Sequence, residues 1–172
     1  MQIDNNFQTP YWCCEYMISL IKNETEIKTV LEPTPGEGNL VDALKKQGFF
    51  VTVPKSGVID ISFWDYIIHY PYFIKWDAIV MNPPATPMQA AYNIFYECMK
   101  HTNRIVALMP WLTIINSQKR TKDIMDFGLI SMTHLPRSTF KGSRIQTCIL
   151  NMKRGYKGKT EFKVIGHGLI NE

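Results

Sequence analysis

Apolar positions along this chain fall into short continuous runs, and between them lie stretches where apolar residues recur at helical spacing. Ala78-Ile79-Val80-Met81 is such a run, apolar at every position, which predicts a strand buried on both faces. It stops abruptly at Asn82-Pro83-Pro84-Ala85. Two consecutive prolines withdraw two backbone donors and fix φ near about −65°, so the turn is stiff and Asn82 is presented on it. Comparable runs predict strands over 29–32, 48–53, 57–61, 104–109, 130–134 and 147–152. Helical spacing predicts helices over 11–21, 39–44, 89–100 and 117–127, the first with Thr9 as N-cap and Pro10 at its first position. Strands alternating with helices predict an α/β fold: a doubly wound, mostly parallel seven-stranded sheet with helices on both faces. A short connection lets strand 147–152 pair antiparallel with its neighbour. With no repeat, linker or low-complexity stretch, residues 1–172 read as a single domain.

Composition narrows the class. A chain of 172 residues, 45% hydrophobic and 20% charged, has the make-up of a globular protein with one core. No apolar run reaches the roughly 20 residues of a membrane span, and the first six residues lack the features of a signal peptide. Cys13, Cys14, Cys98 and Cys148 show no metal-ligand spacing, and adjacent cysteines pair poorly with each other. They read as packed, reduced thiols of a cytoplasmic protein that holds no metal. The net charge of +4 is mild but uneven. Arg137, Lys141, Arg144, Lys153, Arg154, Lys157, Lys159 and Lys163 face the single acid Glu161. This segment fits a phosphate backbone, and it fits equally an edge strand guarded by lysines. The scattered histidines, the aromatics of 63–73 and the charges of 119–122 read as surface or packing residues.

Two turns carry candidate chemistry. Strand 29–32 ends on Glu32 and runs through Pro33-Thr34-Pro35-Gly36-Glu37-Gly38 into the helix that starts at Asn39. In a strand–turn–helix context, the glycines let backbone approach a ligand, and the helix start adds exposed N–H groups. The second turn carries Asn82, whose amide has one acceptor oxygen and two donor hydrogens. The carboxyl end of a buried strand is where open α/β sheets place ligands. An ordinary strand exit through an Asn-Pro turn accounts for the same residues without chemistry.

Four motifs in order decide between these readings. Phe7-Gln8-Thr9-Pro10 resembles an F-x-T-P segment, and Leu31 to Gly38 is similar to a (D/E)-P-x-x-G-x-G loop. Asn82-Pro83-Pro84 is similar to a (D/N)-P-P-(Y/F/W) tetrapeptide. Leu135-Pro136-Arg137-Ser138-Thr139-Phe140, followed by Gln146-Thr147-Cys148-Ile149-Leu150, resembles an L-P-x-x-x-F segment before a strand. Over residues 7–152 the chain thus resembles the S-adenosylmethionine-dependent N6-adenine DNA methyltransferases, in their gamma motif order.

The resemblance implies a Rossmann-like methyltransferase fold with S-adenosylmethionine across the carboxyl ends of the strands. Thr9 and Pro10 would lie near its methionine end, Gly36 and Gly38 beneath it, and Asp60 near its adenine. Glu32, followed by Pro33, would meet its α-amino group. Asn82 would border the cofactor and, with Pro83 and Pro84, form the catalytic turn. Its side-chain oxygen and the Pro83 carbonyl would accept the hydrogens of the target amine and aim the nitrogen lone pair at the methyl group. The target base would be flipped out of DNA and held by position 85, Phe140 and Trp111. DNA methylation in restriction–modification, in a phage or mobile element, is the setting implied.

Three departures bear on this. Ala85 stands where the family has an aromatic residue, so stacking worth about 1–3 kcal/mol is missing there, and Phe140 and Trp111 are the residues placed to replace it. Pro54-Lys55 stands where the family has an acid for the ribose hydroxyls. No segment is long enough for a target-recognition domain, so homo-oligomers or a partner would supply recognition. The rival readings are a methyltransferase acting on RNA or on a protein glutamine, and a silent methyltransferase-fold subunit that binds nucleic acid or regulates. Glu32, Gly36, Gly38 and Asn82 favour the active enzyme.

Overall fold

The strands Thr29–Leu31 and Ala78–Met81, predicted from apolar runs, divide their residues between two cores, which is why such runs lack polar alternation. The computed structural model describes residues 8–54, 75–85 and 87–165. In β1 (Thr29–Leu31), Val30 faces one core and Leu31 the other. In β3 (Ala78–Met81), Ala78 and Val80 face the first and Ile79 and Met81 the second. Helices α1 (Tyr11–Ser19) and α2 (Asn39–Lys46) cover the first face with Met17, Ile18, Leu40 and Leu44. Helices α3 (Met88–His101) and α5 (Gln118–Phe127) cover the second with Phe95, Cys98 and Ile124.

The sheet has seven strands in the order β2-β1-β3-β4-β6-β5-β7. Strands β2 (Phe50–Thr52), β1, β3 and β4 (Arg104–Pro110) run parallel. Strand β6 (Thr147–Lys153) inserts antiparallel between β4 and β5 (Leu129–His134), as its short connection predicted. From β1 the chain crosses to β2 on one side and later returns to β3 on the other. In open α/β sheets such a reversal is where a crevice forms, and here Glu32 and Asn82 follow the carboxyl ends of β1 and β3.

Four differences from expectation have physical causes or limits. The predicted strand 57–61 lies outside the described residues. The seventh strand here is β7 (Glu161–Val164), parallel to β5 in the basic segment, so the edge-strand reading of that segment holds. Helix α4 (Leu112–Ile115) is one turn, too short to leave a periodic signal. Pro10, not Thr9, occupies the N-cap of α1, in extended conformation, because the Thr9 hydroxyl is bonded elsewhere.

The amino ends of the strands are tied independently. Asp77 Oδ2 accepts from the N–H groups of Lys28 and Thr29 at 2.9 and 2.8 Å and from the Thr29 hydroxyl at 2.9 Å. Buried Arg104 donates to Glu24 at 2.7 Å, to the Met152 carbonyl at 2.9 Å and to the Leu20 carbonyl at 2.8 Å. All four cysteines are buried and free, as read from their pattern. Phe95, fully buried on the helix after the Asn-Pro-Pro turn, is the test of this packing. Phe95→Ala is expected to lower unfolding free energy by about 3–5 kcal/mol in urea titration. A loss below about 1 kcal/mol would contradict the placement of α3 on the sheet.

Candidate active site

The turn after β1 is built on two residues whose backbone only glycine adopts readily. Gly36 has φ of 53° and Gly38 of 97°, the latter at the N-cap of α2. Gly36 is also tightly approached: a Cβ there would lie 2.7 Å from both terminal atoms of the Gln8 side chain. Gln8 Oε1 in turn accepts from the Glu37 N–H at 2.9 Å. At the head of the turn, Glu32 is 1% exposed and its Oε1 accepts from the Thr34 N–H at 2.7 Å and the Thr34 hydroxyl at 3.0 Å. Burial pushes its pKa up to about 8, against the lowering effect of those two bonds. Among the described residues no cation pairs with it.

The turn after β3 comes close to the same place. Asn82 Nδ2 donates to Thr9 Oγ1 at 3.0 Å, and Thr9 is 5% exposed. The Thr9 carbonyl accepts from Asn39 Nδ2 at 3.1 Å, at the first position of α2. Residues 8 and 9 therefore form a strap, bonded to the glycine turn, to the start of α2 and to the Asn-Pro-Pro turn. Three motifs far apart in sequence meet through three hydrogen bonds. Sequence reasoning took Thr9 as a helix cap and, by resemblance, as a neighbour of the cofactor's methionine end, and gave no role to the side chains of Gln8, Thr34 and Asn39. The usable signal was chemical for two of them: Thr34 and Asn39 are short polar side chains flanking a proline or glycine of a motif.

The remaining candidates are dispersed. Pro33 and Pro83 are buried, and Pro10, Pro84 and Ala85 half-buried, along the two turns and the strap. Trp111, at the carboxyl end of β4, packs edge-on against His134 and Phe162, with ring centroids 5.2 and 5.8 Å away. Phe140 is 7% exposed, in the core with Val80, Leu108, Leu135 and Ile149. Asp60 and Lys55 lie outside the described residues, while Pro54 is buried. In the basic segment, Lys153 pairs with Glu24 at 3.1 Å, Lys163 with Glu161 at 2.8 Å, and Arg154 stacks on Phe127, while Arg137, Lys141, Arg144, Lys157 and Lys159 are exposed, the last two on the approach to β7.

A cavity of about 1090 Å³ opens at the opposite end of the sheet, lined by Asp77, Tyr96, His101, Arg104, Asp123 and Lys153 among others. Its size does not make it the site, because these groups are bonded to one another or to backbone. The carboxyl ends of β1 and β3, with a buried carboxylate that has no cation among the described residues, are the candidate location.

No protein-family model matches the chain, and no curated protein matches it in sequence. Solved structures do match in fold. A protein assigned as the modification subunit of a type I restriction enzyme from Vibrio vulnificus superposes with a TM-score of 0.71 at 14% identity, over 94% of this chain and 48% of that one. A type I restriction-modification methyltransferase subunit from Streptococcus thermophilus gives 0.67 at 14% identity, over 92% and 47%. A protein from Listeria monocytogenes assigned as a class I S-adenosylmethionine-dependent methyltransferase gives 0.64 at 14% identity, over 95% and 66%. The chain thus spans about half the length of the two type I subunits. Its fold is the one these methyltransferases share. No helix among the described residues is long and apolar enough to cross a membrane.

The raised pKa of Glu32 makes a stability prediction. A carboxyl whose pKa is about 8 folded and 4.5 unfolded binds more protons in the native state between those values, so stability falls as pH rises from about 4.5 to about 8. Urea titrations from pH 4 to 9 are expected to show that decline in the wild type and a flatter profile in Glu32→Gln. Parallel profiles would contradict the buried, cation-free setting of Glu32.

Proposed function

We propose that this protein transfers a methyl group from S-adenosylmethionine to the exocyclic N6 amine of adenine in DNA. The observation that carries the reading is the meeting of Asn82-Pro83-Pro84 with the Glu32–Gly38 turn through Thr9. The residues fit the cofactor. Glu32 is a buried carboxylate that an ammonium would complement, Gly36 and Gly38 keep side chains out of the turn, and Thr9 and Pro10 border it. Pro33 and Asn82 complete that border, and Asp60 is proposed for the adenine end. When bound, S-adenosylmethionine supplies an electrophilic methyl group.

The chain's own residues do the rest. An adenine amine is a poor nucleophile because its lone pair is delocalised into the ring. Asn82 Oδ1 and the Pro83 carbonyl accept its two hydrogens, which favours a tetrahedral nitrogen with its lone pair directed outward. Pro84 limits the freedom of the turn, so the acceptors are held in place before the substrate arrives. Trp111, Phe140 and position 85 are proposed to border the base. With Phe140 in the core and Ala85 carrying no ring, Trp111 supplies the aromatic face. The exposed cations Lys157 and Lys159 suit a phosphate backbone. Target recognition is proposed to come from a partner subunit or a second copy.

Ala85 and the burial of Phe140 favour a silent nucleic-acid-binding or regulatory fold over an enzyme. Glu32 argues the other way, since a buried carboxylate with no cation among the described residues destabilises a protein that never receives one. A methyl-transfer assay with labelled cofactor on DNA, RNA and protein tests the choice. Asn82→Ala is expected to reduce transfer to DNA by at least about 100-fold at saturating cofactor while the protein stays folded and still binds cofactor. Equal transfer by that variant would overturn the mechanism. Ala85→Tyr is expected to lower KM for DNA by about tenfold, and an unchanged KM would mean that position 85 does not face the base.

A further inference from the structure

Strand β7 carries apolar side chains at an open end of the sheet. Among the described residues it pairs with β5 alone, so its other edge has no partner strand there. Phe162 and Val164 are 60% and 65% exposed, and Phe162 meets the Trp111 ring on one face of the sheet. Glu161 and Lys163 alternate with them on the other face, ion-paired at 2.8 Å. An open edge with exposed apolar side chains is a template for pairing with another chain. We infer that this edge is an interface with a second copy of the chain: two β7 strands pair antiparallel about a two-fold axis at Phe162 and join the two sheets into one. The inference is independent of the reaction proposed above.

Two constraints fix the register. Ile165 donates its N–H to the His134 carbonyl at 3.4 Å. Backbone groups alternate sides along a strand, so those of Lys163 also turn toward β5, and those of Phe162 and Val164 turn outward. Antiparallel pairing needs outward groups opposite outward groups, so the allowed registers differ by two residues between the copies. Charge chooses among them. Centred on Glu161, the pairing sets two carboxylates opposite each other, and centred on Lys163 it opposes two ammonium groups. Centred on Val164, it sets Lys163 opposite the apolar Ile165. Centred on Phe162, it sets each Glu161 opposite Lys163 of the second copy. Phe162 then exchanges both backbone bonds with its counterpart, and the Glu161–Lys163 pairs take the positions where facing side chains lie closest. The two Phe162 rings meet on the face that Trp111 already lines. A four-residue strand makes a small interface of the weak, transient class, so its signature is dependence on concentration.

Sedimentation velocity of the full chain from about 5 to 500 µM is the test, with a reversible monomer–dimer equilibrium as the expected result. Glu161→Lys and Lys163→Glu each give a chain whose two charges are alike. Each variant is expected to self-associate at least about tenfold more weakly than wild type. An equimolar mixture of the two is expected to recover association to within about threefold of wild type, because each chain then meets opposite charges on the other. A change confined to one chain would weaken both variants and would not be repaired by mixing. A wild-type chain that stays monomeric over the whole range would overturn the interface, and so would a mixture as weak as its components. Dimers of wild-type strength in either single variant would place the contact elsewhere and overturn it as well.

Discussion

The hydrogen bond between Asn82 and Thr9 is the contact on which the candidate site depends. Sheet pairing already brings the ends of β1 and β3 side by side, with Leu31 opposite Ile79. Pairing fixes backbones, however, and leaves the side chains on the two turns unassigned. The strap of residues 8 and 9 assigns them, by accepting from Glu37 and Asn39 on one turn and its helix and from Asn82 on the other. Each such bond contributes only about 1 kcal/mol net. For Thr9, which is buried, the alternative is an unmet polar group, which costs more, so weak bonds suffice to favour one arrangement.

Glu32 shows the opposite balance, a local destabilisation kept at the crevice. Its two bonds from Thr34 orient the carboxyl and favour its charged form, yet burial outweighs them and holds the proton on. A group poised in this way ionises when a cation arrives, so its energetic strain is relieved by the ligand it selects. The rest of the fold compensates from a distance. Asp77 and Arg104 stitch the far ends of the strands, which leaves the carboxyl ends free to carry loops rather than cross-links.

Much of this was legible in the sequence, for identifiable reasons. Unbroken apolar runs such as 78–81 declare doubly covered strands, and the Asn-Pro-Pro stop marks the turn that meets the strap. The antiparallel insertion of β6 followed from its short connection to β5. What stayed hidden depends on partners distant in sequence. Thr9 carries every local mark of a helix cap, and only its neighbour across the crevice shows otherwise. Strand β7 alternates apolar with charged residues but leaves Phe162 60% exposed, so its pattern points to no core. Phe140 matches a base-facing position by motif and sits in the core by packing, a distinction that residue type alone does not draw.

Calorimetric titration of the folded protein with S-adenosylmethionine, repeated in buffers of different ionisation enthalpy, tests the central claim most directly. A crevice in which Glu32 awaits an ammonium predicts saturable one-to-one binding tighter than about 1 mM, with proton release near pH 7 as the carboxyl gives up its proton. No binding at millimolar cofactor, with the protein folded, would contradict it.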